Sequence, residues 1–520
     1  MKARQFGDFQ TPPALVKKIL HLLGPIGDKW ERVLEPTCGR GHFLRGVVES
    51  QSPPKEIIGI EIQHEHIRQS ESIRSKNITV IEGDIFQINL AKDLKWKFRG
   101  PLLVIGNPPW VTNSEIGALE GVNLPVKHNF KGLRGIEAIT GQSNFDIAEY
   151  IWLKIMSELA AEKPTIALLC KTSVARNVLE YAQRAKLPMA GAEIRKIDSA
   201  KWFGAAVDAC LFSLQIGSSV PSYQANIFRS LDAVSTSTTF GFIKGQPVSD
   251  LTAYESVAFL EGKSPIEWRQ GIKHDAAPIL ELRRRDSDQW LNGLAERVEV
   301  ENDFIFPLIK GSDIRSYCGS SSIDKAVIVT QKEVGQDTKY LKTIAPNLWA
   351  YLSKHDDTFF KRKSSIYRNK PPFSIFGIGK YSFAPSKVMV SGLHKEPKFI
   401  AVGPKGSKPV LCDDTCYMLP CQSPKQAAVI AAILNQSLSK KFIASIAFRE
   451  SKRPLTKAVL KRINILELAK RIKLEDVRDE IMVSLQEMQG VKRQENSELS
   501  SLVDALDLGT AMPQQYLLNL

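Results

Sequence analysis

From Arg32 to Ile216 the chain alternates short, β-branched apolar runs with longer segments whose apolar residues recur at helical spacing. This is the pattern of an open, mostly parallel α/β sheet. Arg32–Glu35, Ile57–Ile62, Ile78–Ile81, Leu102–Ile105 and Thr165–Leu169 predict buried strands. Asn144–Ala161 predicts the helix before the last of these, and Glu193–Ile197 and Ala209–Ile216 predict a terminal pair of strands. The Ser/Thr-rich stretch Ser235–Thr239 interrupts the pattern and predicts a linker. Beyond Phe240 the alternation is lost; Gln426–Ile446 predicts one amphipathic to buried helix, and residues 471–520 read as helical and mixed in charge. No internal repeat is found. The pattern therefore predicts an α/β domain at 1–235 and a second, mixed α+β domain at 240–520.

Composition supports folded domains throughout: of 520 residues, 43% are hydrophobic and 24% charged, which is ordinary for globular chains and unlike a disordered one. Lys and Arg number 70 against 56 Asp and Glu, and the resulting net charge of +14 favours an anionic partner. Within the second half, Phe359, Phe360, Lys361, Arg362, Lys363, Tyr367, Arg368 and Lys370 interleave cations with aromatics. Cations of that kind serve phosphates and aromatics serve bases, although a solvated cationic face above core aromatics gives the same pattern. No run approaches the ~18 apolar residues of a membrane span, and Ala427–Leu434 reads as a short buried helix. Met1–Gln10 carries Lys2 and Arg4 but no apolar h-region, so a cytosolic protein without a membrane partner is expected. The seven cysteines are odd in number and scattered, which argues against a disulfide framework. Cys412, Cys416 and Cys421 lack a CxxC pair and a nearby His, and His64-Glu65-His66 lacks the HExxH spacing. Packing and a helix face are expected there, and no metal.

The chemistry gathers at strand ends. The first strand runs into Glu35-Pro36-Thr37-Cys38-Gly39-Arg40-Gly41, a turn whose glycines let backbone approach a ligand and whose following helix offers free N–H groups. Glu61 ends the second strand, and Gly83-Asp84-Ile85-Phe86 follows the third. Carboxylates at such positions accept hydrogen bonds from a ribose diol and an adenine amino group. GxGxxG and GxxxxGK[ST] are both absent, so a nucleoside cofactor without phosphate fits best, namely S-adenosylmethionine. The fourth strand ends in Asn107-Pro108-Pro109-Trp110. An exocyclic amine conjugated to a ring is a poor nucleophile because its lone pair is delocalised. The Asn107 side-chain oxygen and the Pro108 carbonyl are two acceptors for its hydrogens, which frees the lone pair for attack on a sulfonium methyl. The prolines stiffen the turn, and Trp110 offers a face to the base.

These motifs, in this order, resemble the gamma-class DNA adenine-N6 methyltransferases of restriction–modification systems, including those with a TaqI-like C-terminal specificity domain. Phe6–Pro13 resembles the N-terminal cofactor motif, with Thr11 and Pro12 at matching positions. Asn107–Trp110 resembles the catalytic [D/N/S]PP[Y/F/W] motif, Ser143-Asn144-Phe145-Asp146 and Lys171-Thr172-Ser173 the next two, and Trp202-Phe203-Gly204 the site of an aromatic that packs on the extruded base. In the second half, Gly271-Ile272-Lys273, Leu308–Ile314 and Ala432–Ser437 look like pieces of the specificity domain.

The resemblance implies a Rossmann-like S-adenosylmethionine-dependent sheet with a target-recognition domain. It implies that Thr11, Pro12, Glu35, Pro36, Cys38, Gly39, Gly41, Glu61, Asp84, Ile85 and Asn107 hold the cofactor, that Asn107, Pro108, Pro109 and Trp110 are catalytic, and that Trp110 and Phe203 stack the base. Double-stranded DNA is the implied partner, with the target adenine extruded because its amine is unreachable inside a base stack. Arg362, Lys363 and Arg368 are expected on phosphates, the chain as a monomer, and a separate restriction endonuclease as its functional counterpart. Gly204 stands where members often carry Pro, which weakens the role of Phe203 relative to Trp110. Cytosine-N4, RNA and protein-amide acceptors use the same amine chemistry and stay open as alternatives. Pro420-Cys421-Gln422 resembles the nucleophile loop of cytosine-C5 enzymes, but Asn107–Trp110 already fills the strand end that such a loop needs. The five residues before Phe6 leave no room for an N-terminal nuclease.

Overall fold

The computed structural model describes residues 10–73, 75–111, 146–284 and 289–489. The chain divides into two compact units, Met1–Thr252 and Ala253–Leu520.

The first unit is built on a ten-stranded sheet. Its strands are β1 (Arg32–Glu35), β2 (Glu56–Glu61), β3 (Ile78–Glu82), β4 (Leu102–Gly106), β5 (Thr165–Lys171), β6 (Ala192–Ile197), β7 (Ala209–Gln215), β8 (Ala225–Phe228), β9 (Thr238–Ile243) and β10 (Gln246–Val248). They lie in the order β10-β9-β8-β6-β7-β5-β4-β1-β2-β3. β1 to β5 are mutually parallel, and β7 runs antiparallel between β5 and β6. All seven predicted strands are present. β1, β2 and β4 are buried along their whole length, which is why they read as continuous apolar runs and not as alternation: parallel strands are covered on both faces. One cover is formed by the helices Pro13–Leu23 and His42–Val48, whose Leu15, Val16, Ile19, Phe43 and Leu44 pack with Val33, Ile57, Leu103 and Ile105. These helices approach so closely that a Cβ at Gly46 would lie 2.8 Å from the Val16 side chain.

The strand order reverses between β1 and β4, because the chain runs outward through β2 and β3 and then restarts on the other side of β1. Such a switch point opens a crevice at the C-terminal ends of the strands, where ligands bind in open α/β sheets.

Ser235–Thr239 is not the linker its composition predicts. Thr238 and Thr239 begin β9, which pairs antiparallel with β8 and buries Phe240, and the first unit continues to Thr252. β-branched threonines suit a strand, but which strand they pair with is a tertiary matter.

The second unit is mixed α+β, and with the first it gives the expected fold class. β11 (Arg269–Gln270), β12 (Glu281–Arg284), β13 (Trp290–Leu291), β14 (Ile305–Ile309), β15 (Lys325–Ile328), β16 (Ser386–Ser391), β17 (Ile400–Val402), β18 (Leu411–Cys412) and β19 (Cys416–Cys421) form two sheets, β11-β19-β16-β17 and β13-β12-β15-β14-β18. The single helix predicted at Gln426–Ile446 is two, Pro424–Leu434 and Ser437–Ile446. The break has a cause: the Asn435 amide accepts from the Phe399 N–H at 2.9 Å and donates to the Phe399 carbonyl at 2.7 Å, copying a strand pairing. Gly271 and Gly311 are packing positions. A Cβ at Gly271 would meet the Asp413 carbonyl at 2.1 Å, and one at Gly311 would meet Thr415 Oγ1 at 2.4 Å. Cys412, Cys416 and Cys421 lie buried on β18 and β19. Among the described residues, no helix is long and apolar enough to cross a membrane.

Lys387, on β16, is 1% exposed, and its Nζ donates to the Ala384 carbonyl at 2.6 Å. Burial lowers its pKa to about 8 from the ordinary 10.5. The unfolded chain therefore binds more protons between those values, so this residue's cost is full below pH 8 and is relieved as pH rises toward 10.5. At about 1.4 kcal/mol per unit the cost at neutral pH is about 3 kcal/mol. Lys387→Met is expected to stabilise the second unit by about 2–3 kcal/mol at pH 7 and by much less near pH 10, read as paired urea midpoints. Equal effects at both pH values would show that the lysine is not strained by its charge.

Candidate active site

The crevice at the switch point holds the three strand-end motifs together. β1 delivers Glu35 and the turn Pro36–Gly41. Gly39 and Gly41 have φ of +51° and +77°, and a Cβ at Gly41 would fall 2.8 Å from Ile73 and 2.9 Å from Ser70. Only glycine makes this turn. Two of its N–H groups are tied to the neighbouring strand end: Glu61 Oε2 accepts from Gly39 N at 2.8 Å and Cys38 N donates to the Ile60 carbonyl, while Glu61 Oε1 accepts from Gln63 N just beyond β2 at 2.8 Å. Cys38 is buried against Gly59, so its role at this point is to fill space.

Thr11 is buried, and its carbonyl lies 2.7 Å from His42 Nδ1. Pro12 caps the helix that begins at Pro13. Phe6–Phe9 lie outside the described residues. Gln10, which the motif reading passed over, has its Oε1 3.1 Å from the N–H of Arg40 and lies over Gly39. Its place beside Thr11-Pro12 was the available signal. At the end of β3, Asp84 accepts from Phe86 N at 2.9 Å, and Ile85 is buried.

Glu35 is 3% exposed, and its Oε2 has no hydrogen-bond partner among the described residues. Burial pushes its carboxyl well above the usual range; the Leu44 N–H opposes this and the charge of Glu61 adds to it. Its side chain lies against Gly106, where a Cβ would meet Glu35 Cγ at 3.2 Å. The carboxylate thus sits beside the residue that precedes Asn107.

β4 ends in the turn Asn107–Trp110, with Asn107 half-buried and Pro108 buried. Trp110 is 5% exposed; its Nε1 donates to the Leu169 carbonyl at 3.4 Å, and its ring meets Phe203 edge-on at 4.9 Å. The two aromatics expected to hold a base are therefore neighbours, but Trp110 is closed in and not presented as a free face. Phe203 ends the helix Ser199–Phe203, which Asp198 caps and which Gly204 terminates at φ +63°.

The Val111 carbonyl accepts from Ile147 N, which brings in Asp146. Asp146 caps the helix Ile147–Glu158 through Ala148 N and pairs with Lys171 Nζ at 2.8 Å. Burial raises the Asp146 carboxyl even so, with Lys171 opposing. This ion pair joins the two segments that follow the Asn107–Trp110 turn, a link that spacing does not reveal. Ser143–Phe145 lie outside the described residues. Among the described residues, no group of three or more His, Cys, Asp or Glu side chains could hold a metal ion.

In the second unit, Lys363 and Arg368 are exposed. Arg362 is not placed for the phosphate contact expected of it. Its guanidinium donates to the carbonyls of Ser374 at 2.6 Å, Phe359 at 3.1 Å and His274 at 3.3 Å, and it stacks 3.7 Å from the Tyr367 ring. Desolvated carbonyls and an aromatic face hold this cation inward.

A mixed sheet with five parallel strands and an antiparallel β7 beside them, carrying a glycine turn, acids on successive strand ends and an Asn-Pro-Pro-Trp turn at the switch point, defines a methyltransferase. No protein-family profile matches the chain. It is, however, 39% identical over 481 residues, 90% of its length and 98% of the relative's, to the type II methyltransferase M.NspV of Nostoc sp. (strain ATCC 29411 / PCC 7524). The chain belongs to the type II methyltransferases. Among solved structures, the type IIL restriction-modification enzyme MmeI in complex with DNA aligns over 99% of this chain and 76% of its own, with TM-score 0.47 and 11% identity. A class I S-adenosylmethionine-dependent methyltransferase from Listeria monocytogenes aligns over 44% of this chain and 69% of its own, with TM-score 0.30 and 14% identity.

Proposed function

We propose that this protein is a site-specific DNA methyltransferase of a restriction–modification system, transferring a methyl group from S-adenosylmethionine to N6 of an adenine extruded from a short duplex sequence. The observation that carries the reading is the Asn107-Pro108-Pro109-Trp110 turn at the end of β4, directly beside Glu35 and the glycine turn of β1. The residues present fit the cofactor: Gly39 and Gly41 give the turn its positive φ at the strand end, and among the described residues the buried Glu35 Oε2 lacks a donor. Glu61 and Asp84 are the acceptors for a ribose diol and an adenine amino group, with Thr11, Pro12, Pro36 and Ile85 shaping the walls and Cys38 packing behind the turn. When bound, S-adenosylmethionine supplies an electrophilic methyl carbon.

The chain's own contribution is to prepare the amine. Asn107 Oδ1 and the Pro108 carbonyl accept its two hydrogens, which draws the nitrogen toward sp³ geometry. With its lone pair localised in this way the amine would be poised to take the methyl group that the cofactor would supply, and its extra proton would then pass to water. Trp110 and Phe203 form the aromatic wall beside the base, and Lys363 and Arg368 contact phosphates, with Arg362 as a buttress of that surface. Phosphate contacts of this kind release counterions, so affinity for DNA falls steeply with salt.

The test is strand-resolved modification sequencing of plasmid from cells that express the protein. N6-methyladenine at one short motif, absent with empty vector, is the expected result. Methylated cytosine at the motif would transfer the same chemistry to N4, and no modified motif with sound expression would remove DNA as substrate.

A further inference from the structure

Beside the helix Pro346–Lys354, the second unit carries an open cavity of about 450 Å³ that no step of methyl transfer uses. Its walls include Trp349, Phe360, Tyr367 and Pro372. They are anchored: Trp349 meets the buried Phe373 edge-on at 5.2 Å, and Arg362, held by three carbonyls, lies 3.7 Å from the Tyr367 ring. Phe360 is different. Phe359 beside it is buried, whereas Phe360 is 80% exposed on the cavity wall. Arg368 and Lys370, both exposed, share the lining with a single acid, Asp356. The cavity opens a cationic stretch: from Lys361 to Lys408 the chain has eleven Lys and Arg and one acid, Glu396.

A site with rigid, flat apolar walls and cations on the same lining suits a ligand that is aromatic on one side and anionic on the other. A nucleotide has both, and in a paired, stacked duplex its base faces are not available. We infer that this cavity takes one unpaired nucleotide of the DNA substrate, distinct from the methylated base, with its base against Phe360 and its phosphate on Arg368 and Lys370. Extruding one base leaves its partner and neighbours less well stacked, so a second unstacked nucleotide is cheap to supply at that moment. Aromatic stacking then holds it without regard to sequence, because every base has a π face.

The inference rests on the reading of DNA as substrate, and the test separates the two. Once the methylated motif is known, duplexes that carry it, with a photoreactive base (5-iodouracil or 8-azidoadenine) at one position at a time, are irradiated with the full-length protein and the cross-linked peptide is mapped. One position is expected to cross-link within residues 346–373. Phe360→Ala, an exposed substitution that leaves the core intact, is expected to lose that cross-link and weaken duplex binding about ten- to a hundredfold, with cofactor affinity unchanged and Phe360→Trp restoring binding. A protein that methylates its motif yet shows no cross-link there, and binds DNA equally well as Phe360→Ala, overturns the inference and leaves the substrate reading standing. Absence of DNA methylation overturns the substrate reading itself. Tight binding of free deoxynucleoside monophosphates without DNA overturns the inference in favour of a small-molecule site.

Discussion

Asn107→Ala is expected to lower the methyl-transfer rate by about a hundred- to a thousandfold or more, the scale on which removal of one preorganised polar contact to a reacting group is felt. The reason is local. Asn107 directly follows the last residue of β4, its backbone is held by the prolines that follow, and its neighbour Gly106 is pinned against Glu35. Alanine keeps that backbone and the Pro108 carbonyl but deletes one of the two acceptors for the amine. The loss belongs in the chemical step, so single-turnover rates fall while S-adenosylmethionine affinity and thermal midpoint stay at wild-type values. Unchanged turnover would remove Asn107 from the reaction. A loss confined to cofactor affinity would make it a binding residue only.

The second large effect is expected from Glu61→Ala. Glu61 is 6% exposed and accepts two backbone N–H bonds, from Gly39 and Gln63. Deleting it leaves the buried Gly39 N–H without an acceptor, at about 1–3 kcal/mol, frees the half-buried Gln63 N–H, and removes the acceptor proposed for a ribose diol. Cofactor affinity is expected to fall at least about a hundredfold, measured by calorimetry, with a lower melting temperature. A lowered melting temperature with wild-type cofactor affinity would assign Glu61 to the turn alone, and the ribose contact would have to come from elsewhere.

Much of this molecule was written in the chain itself. Strands β1, β2 and β4 were legible because each is buried along its whole length and therefore continuous in apolar, β-branched residues, and the turns at the strand ends carry residues whose local needs are strong: Gly39 and Gly41 for positive φ, Pro108 and Pro109 for a stiff turn. Sequence order also placed Glu35, Glu61, Asp84 and Asn107 at strand ends. Other features were not legible because they depend on pairing across long separations. The Ser/Thr-rich stretch becomes a strand only because β8 lies beside it. The predicted long helix breaks at Asn435 only because Phe399 presents its backbone there. Lys171 meets Asp146 only because β5 delivers one and the helix Ile147–Glu158 is capped by the other.

The same division runs through the functional surfaces. Chain composition only favoured an anionic partner, whereas the motifs pointed to the class of chemistry, because a strand-end Asn-Pro-Pro-Trp turn is meaningful wherever its strand ends in a crevice. Which basic residues face solvent was decided by tertiary structure. Arg362, Lys363 and Arg368 look alike in sequence, yet Arg362 turns inward onto carbonyls and a tyrosine ring while the other two stay in water. Trp110 and Phe203, far apart in the chain, become one aromatic wall in the fold. Local conformational preference is carried by a few adjacent residues and can be read from them; burial, and with it the direction in which a side chain points, is a property of everything packed around it.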